Sequence, residues 1–335
     1  MTLIDIIALV GALLASTILL VAVVAAVWWF DRYDREPLHL VVGVFCWGAL
    51  AAPVLAVVGS SALAAGLGFD PTVMAVWIGP LVEESAKAFG VILVVILSKE
   101  FDNPTDGLVY GTAAGLGFAA TENLVYTLAG AGHSALGGTL LLVLIRTALA
   151  AGIHAVSSAT FGGFLGFAYL SRKRGERVIW LIVGLIGAVS IHAGWNFMLV
   201  QMESAGGAIP VARWFVTVPI LYALYFLGLV GFLQSEQRIL AVELAEEVEL
   251  DVVPAWVAEV IPYYRRRIRS DWWPSRRERT VLARLLTRLA FRKHAVRRLP
   301  EEESQLAGLE VVRLRQQIRA KLQCQSSVEE DDLTG

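Results

Sequence analysis

Apolar runs longer than the ~18 residues needed to cross a bilayer recur along the first 234 residues, and they leave the chain few ways to fold. Hydrocarbon offers no water to backbone N–H and C=O groups, so runs of this length satisfy them internally, as helices. Apolar residues make up 56% of the 335 and charged residues only 17%, which sets the chain apart from ordinary soluble domains. The runs lie at Leu3–Phe30, Leu38–Leu67, Pro71–Leu97, Gly107 to about Ala129, Leu136–Leu170, Val178–Val200 and about Val211–Leu233. The expected fold is an all-α polytopic membrane helix bundle of about seven transmembrane helices. Residues 1–234 would form the membrane-embedded domain and 235–335 a charged cytoplasmic tail, helical or disordered. The first run has only Asp5 before its apolar core and is too long for a signal peptide, so it is expected to be retained. The fifth would outrun a hydrocarbon core of ~30 Å unless it tilts, projects into the cytoplasm or breaks near Gly152.

Loop charge predicts orientation. Loop 31–37 has two arginines, loop 98–106 one lysine, and loop 171–177 three arginines and a lysine. The turns near 68–70, 130–135 and 202–210 have neither. The positive-inside rule then places this multi-pass protein in the cell membrane with its N-terminus outside and its C-terminus in the cytoplasm. In the tail, Ile239–Glu249 is acidic, whereas Tyr263–Arg298 is heavily basic around Trp272 and Trp273, as in a surface lying on anionic lipid. No nucleic-acid motif accompanies those charges, so no nucleic-acid partner is expected. The acidic end SSVEEDDLTG is predicted to be disordered. Cys46 and Cys324 fit neither a disulfide framework nor a cysteine metal site.

The third run interrupts its apolar pattern with Glu83, Glu84 and Lys87. A charged side chain at the bilayer centre costs about 2.5–3.5 kcal/mol on insertion scales, so these three face protein or a wet cavity. The fourth run holds Glu122 and Asn123, the fifth Arg146, His154, Ser157 and Ser158, and the sixth His192 and Asn196. Counting along spans of alternating direction puts Glu83, Glu122 and His192 near the midplane and His154 somewhat deeper. His192 and Asn196, four apart, share a helix face. Gly111 and Gly115, with Gly162, Gly163 and Gly166, would let helices approach closely.

Singly, Asn123, Arg146 and Ser157 read as helix glue, worth about 0.6 kcal/mol on average. As a set, two adjacent carboxylates with a third, two histidines and an amide exceed what glue requires. There is no HExxH, no GxGD and no Ser–His–Asp arrangement. What remains suits water attack on an amide: a carboxylate base, with histidine and asparagine as donors to a developing oxyanion. The same carboxylates also suit an ion- or proton-coupled membrane transporter, and a non-catalytic scaffold is a further class.

The ordered motifs EESAK at 83–87, GFAATEN at 117–123, His154 and HAGWN at 192–196 resemble the PrsW family of bacterial intramembrane proteases. That family is similar to the CAAX prenyl endopeptidase and bacteriocin-processing superfamily. Lys87 stands one residue before the arginine of the wider superfamily's glutamate motif, and Glu122 stands where Phe-x-x-x-His would place a histidine after Phe118. The resemblance covers residues 30–235 and implies hydrolysis of a peptide bond in a single-span, anti-sigma-factor-like membrane protein. It implies Glu83 as the base that activates water, Glu84 as its partner, Glu122 and His154 completing the site, and His192 with Asn196 stabilising the oxyanion. Glu122, His154 and His192 would be the ligands of a divalent metal such as zinc; without a metal the site would be that of a glutamate protease.

Overall fold

The computed structural model describes residues 2–98, 100–131, 135–205, 208–269, 272–273 and 275–334, with side chains left out at 203–211 and from 324 onward. Cys324, the centre of the 130–135 turn and the Gly206-Gly207 step therefore fall wholly or partly outside the described residues. The described residues are helical throughout their ordered elements and contain no strand.

Seven long helices come first: α1 (Leu3–Phe30), α2 (Leu38–Leu67), α3 (71–97), α4 (Pro104–Ala131), α5 (Leu136–Tyr169), α6 (Arg174–Ala205) and α7 (Ala208–Glu249). Five of them, α1, α2, α5, α6 and α7, contain stretches long and apolar enough to cross a membrane. The other two, α3 and α4, carry buried polar residues, among them Glu84, Lys87, Asp106 and Asn123. Local signals set the ends. Gly68 closes α2 in the left-handed conformation (φ 61°), and Asp70 caps α3 by accepting from the Thr72 N–H at 2.8 Å, with Pro71 at the first helical position. Asn103 and Asp106 form a reciprocal cap on α4: Asn103 Oδ1 accepts from the Thr105 N–H (2.7 Å), and Asp106 Oδ2 from the N–H groups of Asp102 and Asn103 (2.7 and 3.0 Å).

Two compact units divide the chain. The first comprises residues 1–30, 36–168 and 177–229. Its centre is α4, buried at every residue from Thr105 to Ala119. A ridge of glycines explains how. A Cβ at Gly107, Gly111 or Gly115 would lie 1.9, 2.3 or 2.2 Å from the carbonyl oxygens of Gly162, Ser158 and His154 on antiparallel α5. On another side, Gly48 of α2 packs on the Ala114 carbonyl and Gly117 on that of Phe45, each leaving 2.1 Å for a Cβ. Small residues thus let backbones approach where lipid supplies no hydrophobic drive. Outside this centre, Ile18, Val57, Phe215 and Leu227 are exposed, as lipid-facing residues are.

Among the described residues three helices contain a π-helical turn: Trp47–Ala51 in α2, Met74–Ile78 in α3 and Arg146–Ala150 in α5. The long fifth helix, for which a tilt, a projection into the cytoplasm or a break near Gly152 were the options, continues unbroken through its π turn to Tyr169. Propensity gives no warning of such turns, because one extra residue in a ladder is decided by packing.

The second unit comprises residues 31–35, 169–176 and 230 onward. It contains the end of α7 and the helices α8 (Ala255–Val260), α9 (Tyr264–Arg267), α10 (Arg276–Val296) and α11 (Glu301–Thr334). Asp251, at φ 53°, follows the end of α7 and turns the chain. Leu240, Leu244, Val257, Ile261, Leu282, Leu286 and Ile318 form a core of its own. Trp273 joins that core in tilted ring contact with Trp256 and Trp272, so the tryptophan pair expected at a lipid surface is packed on protein. The basic stretch is also partly spent internally: Lys293 reaches Glu246 at 2.9 Å and Glu247 at 2.8 Å, and Arg297 pairs with Glu243 at 3.4 Å. The backbone of α11 is helical to Thr334, including the acidic end predicted to be disordered.

Candidate active site

Adjacent positions on a helix point about 100° apart, so Glu83 and Glu84 cannot share a role. Glu84 turns inward and is fully buried. Its Oε1 accepts from Lys87 Nζ at 2.5 Å and from His192 Nδ1 at 2.8 Å, and its Oε2 from Ser158 Oγ at 3.0 Å. Glu84 is therefore a saturated carboxylate that orients His192 from behind, as carboxylates do for metal-binding or catalytic histidines.

Glu83 turns to the other side, into a cavity of about 310 Å³ lined also by Glu122, Arg146, His154, His192 and Asn196. Its Oε2 is buried without a hydrogen-bond partner and lies 3.7 Å from His192 Nε2. Since Nδ1 of His192 donates to Glu84, its Nε2 presents a lone pair toward that oxygen. The Glu83 oxygen and the His192 lone pair face one buried space. Such a space suits a water molecule or a cation.

His154 stacks edge-on against His192, ring centroids 4.7 Å apart, with Phe118 5.3 Å away on another side. Lys87, completely buried, lies over the Phe118 ring at 4.6 Å and 3.1 Å from His154 Nδ1. An ammonium group only donates, so Nδ1 accepts and Nε2–H donates to Glu122 Oε2 at 2.6 Å. Arg146 Nη2 holds the same Glu122 oxygen at 2.9 Å. Its Nε donates to Asn123 Oδ1 at 3.2 Å and its guanidinium lies 3.8 Å from the Tyr126 ring centroid. Asn196 Nδ2 donates to the Ala75 carbonyl inside the π turn of α3 at 2.8 Å.

All six expected site residues meet here: Glu83, Glu122, His154, His192 and Asn196 on the cavity, Glu84 directly behind it. The grouping differs in one respect. Ligand atoms of Glu83, His154 and His192 lie within 4.8 Å of one another, whereas the sequence suggested Glu122 with the two histidines. Arg146 is the reason, because it draws the Glu122 carboxylate into an ion pair. Sequence reasoning treated Arg146 as helix glue, although a charge in a spanning run was signal enough to mark it. Lys87 was singled out together with the two glutamates; its reach to His154 was not legible.

A family model described as PrsW family intramembrane metalloprotease matches residues 36–226. The chain is 29% identical over 191 residues to Protease PrsW of Geobacillus kaustophilus, covering 56% of this chain and 80% of that one. It is 28% identical over 174 residues to Protease PrsW of Bacillus subtilis (52% and 76%), and 24% identical over 197 residues to that of Clostridioides difficile (58% and 77%). No solved structure matches the chain. The matched segment contains every residue that lines the cavity. The chain belongs to the PrsW family of intramembrane metalloproteases and is a multi-pass membrane peptidase.

Proposed function

We propose that this protease cuts a single-span, anti-sigma-factor-like membrane protein, with Glu83 accepting the proton of the attacking water. The observation that carries the proposal is the unpartnered, buried Oε2 of Glu83 facing the His192 Nε2 lone pair. Glu83 and the Nε2 of His192 would hold a divalent cation such as zinc, and His154 would complete the donor set by giving up the Nε2–H bond it makes to Glu122; a carboxylate has oxygens for both tasks. When bound, the metal supplies Lewis acidity and makes its water more acidic. Glu84 fixes the His192 tautomer, and Lys87 fixes that of His154. Glu122, ion-paired with Arg146, orients His154 from the opposite side. Asn196 carries a second amide proton beyond the one given to Ala75, available to a developing oxyanion. An intact helix of about 10–12 Å diameter does not fit a cavity of about 310 Å³, so the substrate must unwind at the scissile bond.

We further propose seven spans, α1–α7, with the N-terminus outside, residues 1–234 as the membrane domain and 235–335 as a cytoplasmic unit. The alternation of basic and uncharged turns supports this. The cavity is lined from the middle and outer halves of α3–α6, those leading to turns without Lys or Arg, which argues for cleavage on the extracytoplasmic side. Exposed Arg265, Arg276 and Arg277 are available to anionic lipid.

The test compares membrane proteomes of cells carrying the wild-type protein or Glu83→Gln at equal abundance. One single-span protein should accumulate uncut in the mutant and lose its truncated product. If no membrane protein accumulates across several stresses, the substrate proposal fails.

A further inference from the structure

Arg146 and His154 are eight residues apart, and on a regular α-helix at about 100° per residue they would diverge by about 80°. Both nevertheless reach Glu122 Oε2, at 2.9 and 2.6 Å. The π turn at Arg146–Ala150 accounts for this, because absorbing one extra residue returns the two side chains to within about 20° of a common face. The register of α5 between Arg146 and His154 therefore depends on a π turn, an uncommon element.

Tyr222 of α7 provides support. Its hydroxyl lies 3.0 Å from the carbonyl oxygens of both Ala148 and Leu149, two residues inside the π turn. A carbonyl has a second lone pair beyond the one used in the helix ladder, so the contact adds to the backbone bonding. Gly152 makes the approach feasible: a Cβ there would lie 1.8 Å from the Tyr222 hydroxyl oxygen. Tyr222 itself lines a separate apolar cavity of about 420 Å³ and not the one that holds Glu83. It is placed to act on α5 and not on the substrate.

We infer that Tyr222 is a positioning residue for proteolysis, its hydroxyl holding the π turn that sets Arg146 and His154 together on Glu122. The inference rests on the site proposed above, and its test keeps the two separable. Wild type, Tyr222→Phe, Tyr225→Phe and Glu83→Gln are purified as full chains in lipid nanodiscs and assayed on a fluorescent single-span reporter. Tyr225 is the control, because its hydroxyl bonds Thr112 of α4 at 2.9 Å and leaves α5 alone. Tyr222→Phe should lower kcat at least about 10-fold with KM within about 2-fold, the signature of lost alignment. Tyr225→Phe should stay within about 2-fold of wild type in both constants. Hydrogen exchange, which needs no activity, should accelerate in Tyr222→Phe across 146–152 and remain unchanged along α4. Unaltered kcat in Tyr222→Phe, an equal loss in Tyr225→Phe, or unchanged exchange at 146–152 would each overturn the inference. Retained activity in Glu83→Gln would instead sink the site assignment, whatever Tyr222→Phe does.

Discussion

Replacing Gly115 by alanine places a methyl group 2.2 Å from the carbonyl oxygen of His154. Both partners of that contact are helix backbone, so no side chain can swing away. Restoring an ordinary contact requires α4 and α5 to part by about 1 Å in an interior packed at crystal-like density. His154 would move with its carbonyl, away from Lys87 and Glu122, whose contacts at 3.1 and 2.6 Å leave little slack. Misplacement of a catalytic group by about 1 Å costs about 100-fold in rate, and overpacking of this kind costs about 1–3 kcal/mol of stability. The assay is cleavage of a membrane-anchored fluorescent reporter by purified protein in nanodiscs, normalised to the monodisperse fraction. Gly228→Ala, where an added Cβ meets nothing within 4 Å, is the control and should retain wild-type kcat. If Gly115→Ala keeps kcat within about 3-fold of wild type, the claim that the α4–α5 contact sets the His154 position is refuted.

Glu84→Gln leaves buried Lys87 without its charge partner and should cost about 3–5 kcal/mol, read as a large fall in the thermal midpoint; a midpoint within about 2 °C of wild type would contradict it. Arg146→Met removes the ion pair that draws Glu122 aside, and kcat should fall about 10-fold or more, with full activity as the opposing outcome. Treatment with 1,10-phenanthroline should abolish cleavage, zinc should restore it, and elemental analysis should find metal in wild type but not in His192→Ala; full activity in metal-free protein would exclude the cation role of Glu83, His154 and His192. Lys293→Ala strips the bridge from Glu246 and Glu247 and should destabilise the second unit by about 1–3 kcal/mol, checked by hydrogen exchange confined to α7's end, α10 and α11.

Helical class, the positions of the long helices and the gathering of Glu83, Glu122, His154, His192 and Asn196 at one cavity were legible in the sequence, since each depends on short-range regularities. Apolar length reports a spanning helix whatever its neighbours, and Glu83, Glu84, Glu122, His154 and His192 were conspicuous because intramembrane charge demands a partner. The caps at Asp70 and Asn103–Asp106 were written locally too. The division of labour between the neighbours Glu83 and Glu84 was not, because it depends on which side of α3 meets His192 and Ser158. Nor was the exchange of Glu122 for Glu83 beside the histidines, which follows from Arg146 arriving on a helix displaced by its π turn. The tail's tryptophans were misplaced for the same reason: composition reports that Trp272 and Trp273 lie among arginines, whereas only packing decides whether they face lipid or Trp256. The sequence by itself determined which groups had to be hidden from lipid. Tertiary structure alone decided which of them are satisfied by one another and which is left open for chemistry, because hydrogen bonds and ion pairs between helices depend on sub-ångström backbone approach that no spacing rule encodes.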